Sequence, residues 1–218
     1  AGGLGTRLGE VAEKVPKSLI EVNGKSILNH ILDWAQGQGC MNALVLTGHL
    51  GEQFEGFKHD GMALKFHREP EPLGTGGALW NAREHLEDEF ILLWGDDFHP
   101  IDYQKLVKHH RDEKGPLTMT VTDAHEIHNL LFENSKVVQY DKSEDASTEF
   151  NGYEAGTSVV NKIIVTEHGK DGKWSWEETV YPILSGQITA HVDNTPFWDM
   201  GTPERLSRLE KFFQDGGP

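Results

Sequence analysis

Short apolar runs alternate with helical patterns along the first half of this chain, and that alternation constrains the fold more than any other feature. ALVLTG and FILLWGDD carry short continuous apolar runs, as buried strands do, and LTMTVTD has the composition of a strand. SILNHILDWAQGQG spaces its apolar residues as a helix does, with Ser26 as a candidate N-cap. Strands that alternate with helices predict an α/β fold with a doubly wound, mainly parallel sheet.

The second half of the chain changes character. Short polar pieces around KVVQYD and GTSVVN have the pattern of strands, and KSEDASTEFNGY between them is a polar loop. The helical patterns WEETVYPILSG and PERLSRLEKFFQ lie near the end. We therefore expect a small β-rich subdomain to accompany the main sheet.

Charge and cysteine content exclude several classes of protein. The 218 residues include 35 Asp and Glu against 20 Lys and Arg, a net charge of -15, which is unfavourable for nucleic acid and for anionic membrane surfaces. Cys40 is the only cysteine, so no intramolecular disulfide can form, and the apolar runs are too short to cross a membrane. We expect a cytoplasmic protein. Any phosphorylated ligand would have to meet a local cluster of Arg and Lys or a divalent metal, because the overall charge repels it.

The glycine-rich stretch AGGLGTRLGE opens the sequence and is typical of a backbone that wraps an anion. The spacing of its glycines fits neither of the two common phosphate-binding motifs, G-x-x-x-x-G-K-[ST] and G-x-G-x-x-G. Such a loop normally follows a central strand, so we expect that strand to precede Ala1; the alternative is a domain that begins with a flexible glycine tail. The candidate phosphate-binding residues here are Gly2, Gly3, Gly5, Thr6, Arg7 and Lys17.

Five motifs in the order GGLGTRL, PKSL, EPLGTGGAL, WGDD and WDMGTPERL resemble the sugar-1-phosphate nucleotidylyltransferases over nearly the whole chain. The resemblance is nearest to the short heptose-1-phosphate and mannose-1-phosphate guanylyltransferase-like members. It implies one domain with a Rossmann-like, nucleotide-diphospho-sugar transferase fold. It also implies that an NTP and a sugar 1-phosphate are joined into an NDP-sugar, with release of pyrophosphate and no covalent intermediate. Residues 1–125 would form mainly the nucleotide-binding half, and residues 126–218 mainly the sugar-phosphate-binding half with the C-terminal helices.

The resemblance assigns the residues around the reacting phosphates. Asp96 and Asp199 become the ligands of Mg²⁺, an ion that prefers oxygen donors. Arg7 and Lys17 stabilise the triphosphate, so Arg7, Lys17 and Asp96 form the predicted catalytic group. Asp97 is a less favoured neighbour, because alternation along a strand directs it away from Asp96.

The stretch REPEPLGTGGAL resembles the segment that approaches the nucleotide base, with Gly74 and Thr75 at the turn that opens a helix. Glu69 stands near the position where many relatives carry a base-reading Gln. A carboxylate accepts hydrogen bonds from both N1–H and the N2 amino group of guanine, whereas uracil and thymine offer one donor on that edge. Glu69 therefore favours GTP, and its alternative role is that of an exposed acidic loop residue.

Acidic residues and one lysine form the predicted sugar-phosphate site. By the resemblance, Lys142 binds the phosphate, Asp141 a sugar hydroxyl, and Gly156 allows the sugar to approach the backbone. Glu154 and Glu177 are further acidic candidates, and Glu177 also fits a charge at a helix N-terminus. The family's usual Glu-Lys-Pro is Asp-Lys-Ser here, which weakens the assignment of Asp141 more than that of Lys142.

Other functions stay open at this point. A CTP-dependent phosphocholine-type cytidylyltransferase would need an aromatic cage, for which Trp174, Trp176 and Tyr153 are available. A non-catalytic relative that binds sugar nucleotides and regulates a partner would be expected to have lost the metal carboxylates.

The histidines of KHHRDE and DAHEIH lack the H-E-x-x-H pattern of a zinc site and are expected to be exposed. The oligomeric state is undetermined, with a homodimer among the options.

Overall fold

The computed structural model describes residues 14–143 and 149–218. Gly2, Gly3, Gly5, Thr6 and Arg7 of the predicted phosphate loop lie outside the described residues. The strands are β1 (Glu21–Val22), β2 (Lys25–Ser26), β3 (Asn42–Thr47), β4 (Ala63–Arg68), β5 (Glu89–Leu93), β6 (Asp97–Phe98), β7 (Leu117–Thr122), β8 (Leu130–Glu133), β9 (Lys136–Tyr140), β10 (Tyr153–Asn161), β11 (Ile188–Val192) and β12 (Trp198–Asp199). The α-helices lying wholly within these ranges are α1 (Ile27–Gly37), α2 (Gly74–Asn81), α3 (Tyr103–Glu113), α4 (Lys162–His168), α5 (Trp176–Ile183) and α6 (Pro203–Gln214).

The chain divides into two compact units, each assembled from separate stretches of sequence. The first unit combines the described part of Ala1–Pro72 with Trp94–Pro100 and Pro196–Pro218, and the second combines Leu73–Leu93 with Ile101–Thr195. The division of function at residue 125 stays a prediction, since the composition of these units says nothing about which ligand each half binds.

In the first unit, β3 and β4 form a parallel pair whose register runs from Asn42 opposite Ala63 to Thr47 opposite Arg68. Parallel strands end at the same edge of a sheet, and open α/β sheets bind ligands at that edge. Gly48 and Glu69 immediately follow the two strands, and Glu69 N donates a hydrogen bond to Thr47 O at 2.9 Å. The fold therefore puts Glu69 at the edge where a nucleotide is expected.

An aromatic cluster supports the short antiparallel ladder of β6 and β12 in the same unit. Trp198 of β12 stacks on Phe212 of α6 with 4.8 Å between ring centroids, and Phe98 of β6 lies 5.0 Å from Phe213. Phe98 and Phe213 are only 2% and 6% exposed. This ladder contains Asp97 and Asp199, and Asp96 directly precedes it, so the packing of α6 against β12 helps to position these carboxylates.

The second unit is built on a six-stranded sheet in the order β5-β10-β7-β11-β9-β8. Strands β7 and β11 pair in parallel, and β10 runs antiparallel to both β5 and β7, so that β5, β7 and β11 share one direction. Strand β7 is buried at every residue, with α3 packed against it and against β11. The predicted Rossmann-like α/β class is confirmed, and the antiparallel β10 and β9 are the interruptions that the sequence pattern did not predict.

Several local expectations differ from the structure. The sequence GEQFEGFKH favours a short helix, but in the structure this stretch contains only the 3-10 turn Gly51–Phe54. Strand β5 was expected to be buried and is half-buried throughout, because within the described residues it has a neighbour on one side only. His110 was expected to be exposed but is 2% exposed, with its ring nitrogens hydrogen-bonded to Thr118 and Asn161. No helix in the described ranges has both the length and the apolar character needed to cross a bilayer.

Candidate active site

Lys17 and Asp96 form an ion pair in the first unit. Lys17 Nζ donates a hydrogen bond to Asp96 Oδ2 at 2.9 Å, and their side chains are 21% and 34% exposed. Lys17 begins a 3-10 helix directly after Pro16, whose ring fixes the backbone direction at that point. The structure thus brings together the cation predicted to bind the triphosphate and one of the carboxylates predicted to bind the metal.

Asp199 comes from the backbone segment beside Asp96. The β6–β12 register pairs Asp199 with Asp97, and Met200 N donates a hydrogen bond to Asp96 O at 3.2 Å. The two predicted metal ligands therefore lie on adjacent segments, far apart in sequence and joined by main-chain hydrogen bonds. Asp97 was the less favoured neighbour in the sequence, yet the register places it directly across the ladder from Asp199.

The start of α6 holds the Asp199 carboxylate. Arg205 Nη1 donates to Asp199 Oδ1 at 3.1 Å and to Oδ2 at 3.0 Å, and Gly201 N donates to Oδ1 at 2.7 Å. A Cβ atom on Gly201 would lie 2.7 Å from Asp199 Oδ1, so this approach requires glycine. Thr202 caps the helix by accepting a hydrogen bond from Arg205 N at 3.3 Å. Sequence reasoning missed Arg205, because an arginine in the first turn of a helix has an ordinary appearance in sequence and its contact with Asp199 exists only in the folded chain.

The donors at this site fit a hard divalent cation. Asp96 and Asp199 supply carboxylate oxygens, and Asp96 Oδ1 accepts no hydrogen bond from another described residue. Within the described ranges, no group of three or more His, Cys, Asp or Glu is arranged to hold a metal ion. A cation bound here would therefore complete its shell with substrate phosphate oxygens and water, which is how Mg²⁺ is commonly held.

Gly48 makes room for the Glu69 carboxylate. A Cβ atom on Gly48 would lie 2.1 Å from Glu69 Oε1 and 2.9 Å from its Cδ. Both residues follow the ends of the parallel strands β3 and β4. The absence of a side chain at residue 48 thus allows Glu69 its position, which sequence reasoning did not foresee.

Gly74 and Thr75 open α2 in the second unit. Gly74 has φ of 71°, a left-handed conformation that favours glycine, and a Cβ there would lie 2.5 Å from Trp174 O. The amides of Gly76 and Gly77 donate to the same carbonyl at 3.1 and 3.4 Å. The glycines of this motif therefore allow close packing on the segment that contains Trp174, and the contact of Gly74 and Thr75 with a base stays a prediction.

Glu177 links a predicted nucleotide residue to a predicted sugar-phosphate residue. Lys142 Nζ donates to Glu177 Oε1 at 3.1 Å, and Thr75 Oγ1 donates to Glu177 Oε2 at 2.5 Å. Ser175 Oγ also donates to Oε2 at 3.0 Å, while Trp176 N donates to Thr75 Oγ1 at 2.9 Å. Each carboxylate oxygen of Glu177 is thus used to position another side chain.

The Glu177 carboxylate is charged despite its burial. Glu177 is 8% exposed, and burial alone would raise its pKa. Hydrogen bonds from Thr75, from the backbone and from Lys142, together with the positive charge of Lys142, outweigh that effect and lower the pKa below its ordinary value. A buried anion of this kind supplies a fixed anchor for the Lys142 ammonium group.

The remaining predicted sugar-site residues have different surroundings. Asp141 is exposed, and its Oδ1 accepts a hydrogen bond from Ser143 N at 2.8 Å, which lowers the pKa of its carboxyl group. Glu154 N donates to Asn129 Oδ1 at 2.9 Å. Gly156 has φ of 78° and lies within an irregularity of the β10–β7 register, a feature that redirects side chains near binding sites. Asp141 is therefore held in a local turn, and sugar contacts of the three residues stay predictions.

The aromatic residues that a choline cage would need are used elsewhere. Trp174 and Trp176 are 8% and 0% exposed, and Trp174 Nε1 donates to Lys170 O at 2.8 Å. Tyr153 stacks on His125 with 4.1 Å between ring centroids. These contacts form structural packing, and they give no support to a site for a quaternary ammonium group.

Comparison with known proteins identifies the class to which this site belongs. A sequence model of the nucleotidyl transferase family matches residues 1–129, more than half of the chain. The chain therefore belongs to the nucleotidyl transferase family.

Individual relatives narrow the class. The chain is 27% identical to D-glycero-alpha-D-manno-heptose 1-phosphate guanylyltransferase of Aneurinibacillus thermoaerophilus, over 98% of this chain and 96% of that protein. It is 28% identical to mannose-1-phosphate guanylyltransferase of Mycobacterium tuberculosis, over 95% of this chain and 61% of the longer relative. The crystal structure of HddC from Yersinia pseudotuberculosis superposes with a TM-score of 0.82 at 26% identity, covering 98% of this chain and 96% of that one, and HddC has also been solved with GMP-PN.

The predicted resemblance to sugar-1-phosphate nucleotidylyltransferases is thereby confirmed. The protein is an enzyme that transfers a nucleotidyl group from an NTP to a sugar 1-phosphate.

Proposed function

We propose that the protein makes a GDP-sugar from GTP and a sugar 1-phosphate, with Mg²⁺ bound by Asp96 and Asp199. An oxygen of the sugar phosphate attacks the α-phosphorus of GTP, and the bond from that phosphorus to the bridging oxygen of pyrophosphate breaks. Pyrophosphate leaves with the electron pair, so no enzyme residue is covalently modified. The protein's task is to align two anions and to stabilise charge on the α-phosphate.

The arrangement of Lys17, Asp96 and Asp199 supports this chemistry. When bound, Mg²⁺ would supply positive charge that neutralises the phosphates and orients the α-phosphate for attack. Lys17 binds phosphate oxygens of the triphosphate, and its contact with Asp96 fixes it beside the metal ligands. Arg7 and the backbone of Gly2, Gly3, Gly5 and Thr6 complete the proposed triphosphate site.

The position of Glu69 is the observation that carries the proposal for guanine. Its carboxylate lies at the carboxyl edge of the β3–β4 pair, and Gly48 makes room for it there. A carboxylate accepts hydrogen bonds from N1–H and N2 of guanine at once, which no other common base permits on that edge. The guanylyltransferase names of two relatives and the GMP-PN complex of HddC agree with this choice.

The acceptor site is proposed to lie at Lys142. Glu177 anchors the Lys142 ammonium group, which would bind the phosphate of the sugar, while Asp141, Glu154 and Gly156 approach its hydroxyls. Two relatives are named for substrates of the manno configuration, a heptose and a hexose. We therefore propose a manno-configured sugar 1-phosphate as the acceptor.

Pyrophosphate release tests the proposal. Purified protein would be assayed with Mg²⁺, four nucleoside triphosphates and a panel of sugar 1-phosphates, with phosphocholine included to test for cytidylyl transfer. Release that requires GTP, a manno-configured sugar 1-phosphate and Asp96, as judged by an Asp96→Asn variant, supports the proposal. Turnover with UTP or TTP and none with GTP overturns the choice of base, and turnover of CTP with phosphocholine overturns the choice of acceptor.

The setting of the enzyme is part of the same proposal. An acidic chain with a single cysteine is suited to a reducing cytoplasm, where nucleoside triphosphates and sugar phosphates are available. Fractionation of cells that express a tagged protein would test this placement, since recovery with membranes or outside the cell contradicts it.

A further inference from the structure

Each proposed metal ligand has a basic side chain hydrogen-bonded to its carboxylate. Lys17 Nζ lies 2.9 Å from Asp96 Oδ2, and Arg205 Nη1 lies 3.0 and 3.1 Å from the two oxygens of Asp199. Lys17 is assigned to the triphosphate, whereas no role has been assigned to Arg205. The same pairing of cation with metal carboxylate points to the same role for both basic residues.

We propose that Arg205 is a further phosphate-binding residue of this site. Arg205 holds the Asp199 carboxylate in the nucleotide-free enzyme and moves to a phosphate oxygen of the bound nucleotide when Asp199 engages the divalent cation. The inference rests on the proposed function, because it requires Asp199 to be a metal ligand.

Electrostatics give the exchange its direction. A divalent cation on Asp199 repels the nearby guanidinium group and takes up the carboxylate charge that had stabilised it. Phosphate oxygens next to that cation are strong acceptors for arginine, whose planar group suits them geometrically. The Arg205 side chain is 52% exposed, so it has room to change partners without leaving a buried charge unpaired.

The local backbone keeps Arg205 close to Asp199. Thr202 caps α6 through the amide of Arg205 itself, and Gly201 donates its amide to Asp199 Oδ1. A Cβ on Gly201 would lie 3.5 Å from Arg205 Nη1, as well as 2.7 Å from Asp199 Oδ1. The turn therefore fixes the carboxylate and the start of the helix together, which limits the movement to the Arg205 side chain.

Arg208 provides a matched control on the same helix. Its Nη2 lies 2.7 Å from Glu204 Oε1, and both side chains are largely exposed, at 68% and 75%. This is a solvated pair one turn apart, a kind that contributes little to stability. Arg208→Ala removes the same charge from α6 while leaving Asp199 and Arg205 in place.

Two binding measurements test the exchange without turnover. Electron paramagnetic resonance would measure the affinity for Mn²⁺ alone, and calorimetry would measure Mg²⁺-dependent binding of the α,β-methylene analogue of whichever nucleoside triphosphate the enzyme uses. For Arg205→Ala we expect Mn²⁺ to bind about threefold more tightly, since a neighbouring positive charge is lost. We expect the analogue to bind about tenfold more weakly, since a charge-assisted hydrogen bond is lost.

The opposite signs of the two effects make the test decisive. Weaker binding of both ligands would show that Arg205 only orients Asp199, and no difference from Arg208→Ala in either assay would show that it does nothing; either result overturns the inference. Arg205→Gln, which keeps a donor for Asp199, should repeat the weaker analogue binding if Arg205→Ala folds poorly. A wild-type protein without metal-dependent turnover overturns the proposed function itself, whereas an active wild type with an unaffected Arg205→Ala variant overturns this inference alone.

Discussion

In the proposed function, the choice of nucleotide base depends on the carboxylate of Glu69. Glu69→Gln keeps the length of the side chain but replaces the carboxylate with a neutral amide. The amide has one acceptor oxygen, so it cannot accept hydrogen bonds from N1–H and N2 of guanine as the two carboxylate oxygens can. We expect kcat/KM for GTP to fall about tenfold relative to UTP, because a charge-assisted pair of hydrogen bonds is lost. Steady-state kinetics with the two nucleotides would measure the ratio.

Two further variants make the result specific. Glu71→Gln changes an exposed carboxylate two residues away and should leave the ratio as it is. Gly48→Ala should lower the ratio as well, because its Cβ would occupy the space of Glu69 Oε1. An unchanged ratio in Glu69→Gln would remove the basis for guanine recognition by this residue.

The single buried carboxylate of Glu177 accepts hydrogen bonds from both Lys142 and Thr75. Glu177→Gln removes the charge that anchors the Lys142 ammonium group. We expect kcat/KM for the sugar 1-phosphate to fall about tenfold, mainly through a higher KM, as for the loss of one charged hydrogen bond. Glu178→Gln alters the exposed neighbour and should behave as wild type, and equal effects of the two variants would contradict a specific role for Glu177.

The lowered pKa of Glu177 also predicts how stability depends on pH. A carboxyl group whose pKa is lower in the folded state binds fewer protons there, so folding becomes more favourable as pH rises. The contribution is complete above the unfolded pKa of about 4.3 and is lost as pH falls through the folded value. Urea unfolding of wild type and Glu177→Gln should therefore show a difference that shrinks below about pH 4, and a constant difference would contradict this.

Individual elements show which parts of the fold a sequence pattern predicts. Helix α1 follows its apolar spacing and is capped by Ser26, whose side chain accepts from Asn29 N at 3.2 Å. Strands β3 and β7 coincide with their apolar or β-branched runs. The β6–β12 ladder could not be predicted, because two two-residue strands far apart in sequence have no period and depend on tertiary packing.

The candidate active site likewise contains residues that the sequence predicts and one residue that it does not predict. Lys17, Asp96 and Asp199 lie in motifs that carry the resemblance to the family, and the structure brings them onto neighbouring segments. Arg205 was not predicted, since an arginine near the start of a helix has an ordinary appearance in sequence. Its significance comes from a distance to Asp199 that only the folded chain defines.

The packing of α6 on the β6–β12 ladder gives a prediction about the element as a whole. Phe213 is buried against Phe98 and stacks on His30 with 3.8 Å between ring centroids. Phe213→Ala should cost about 3 to 5 kcal/mol of unfolding free energy, through lost burial and the cavity left behind. Urea denaturation would measure it, with the exposed Gln214→Ala as control. A loss below about 1 kcal/mol would mean that this helix does not depend on its aromatic contact.

The whole molecule combines a strong negative charge with a site for anions. The net charge of -15 repels nucleoside triphosphates at long range, so binding depends on short-range cations and on a divalent metal. Self-repulsion of the same charge opposes the compact state. Stability and substrate binding should therefore both respond to cations, one through general screening and the other through a defined site.

Comparing salt with Mg²⁺ separates these two effects. Sodium chloride raised from about 10 to 150 mM should increase the urea midpoint, because screening weakens repulsion among excess carboxylates. At the same ionic strength, Mg²⁺ at ten times its dissociation constant should add about 1.4 kcal/mol through binding to the folded state alone. Asp199→Asn should retain the response to sodium chloride and lose the additional response to Mg²⁺. If Mg²⁺ stabilises wild type and Asp199→Asn equally, the cation acts on the general charge of the chain, and the metal site proposed for the acidic pair is wrong.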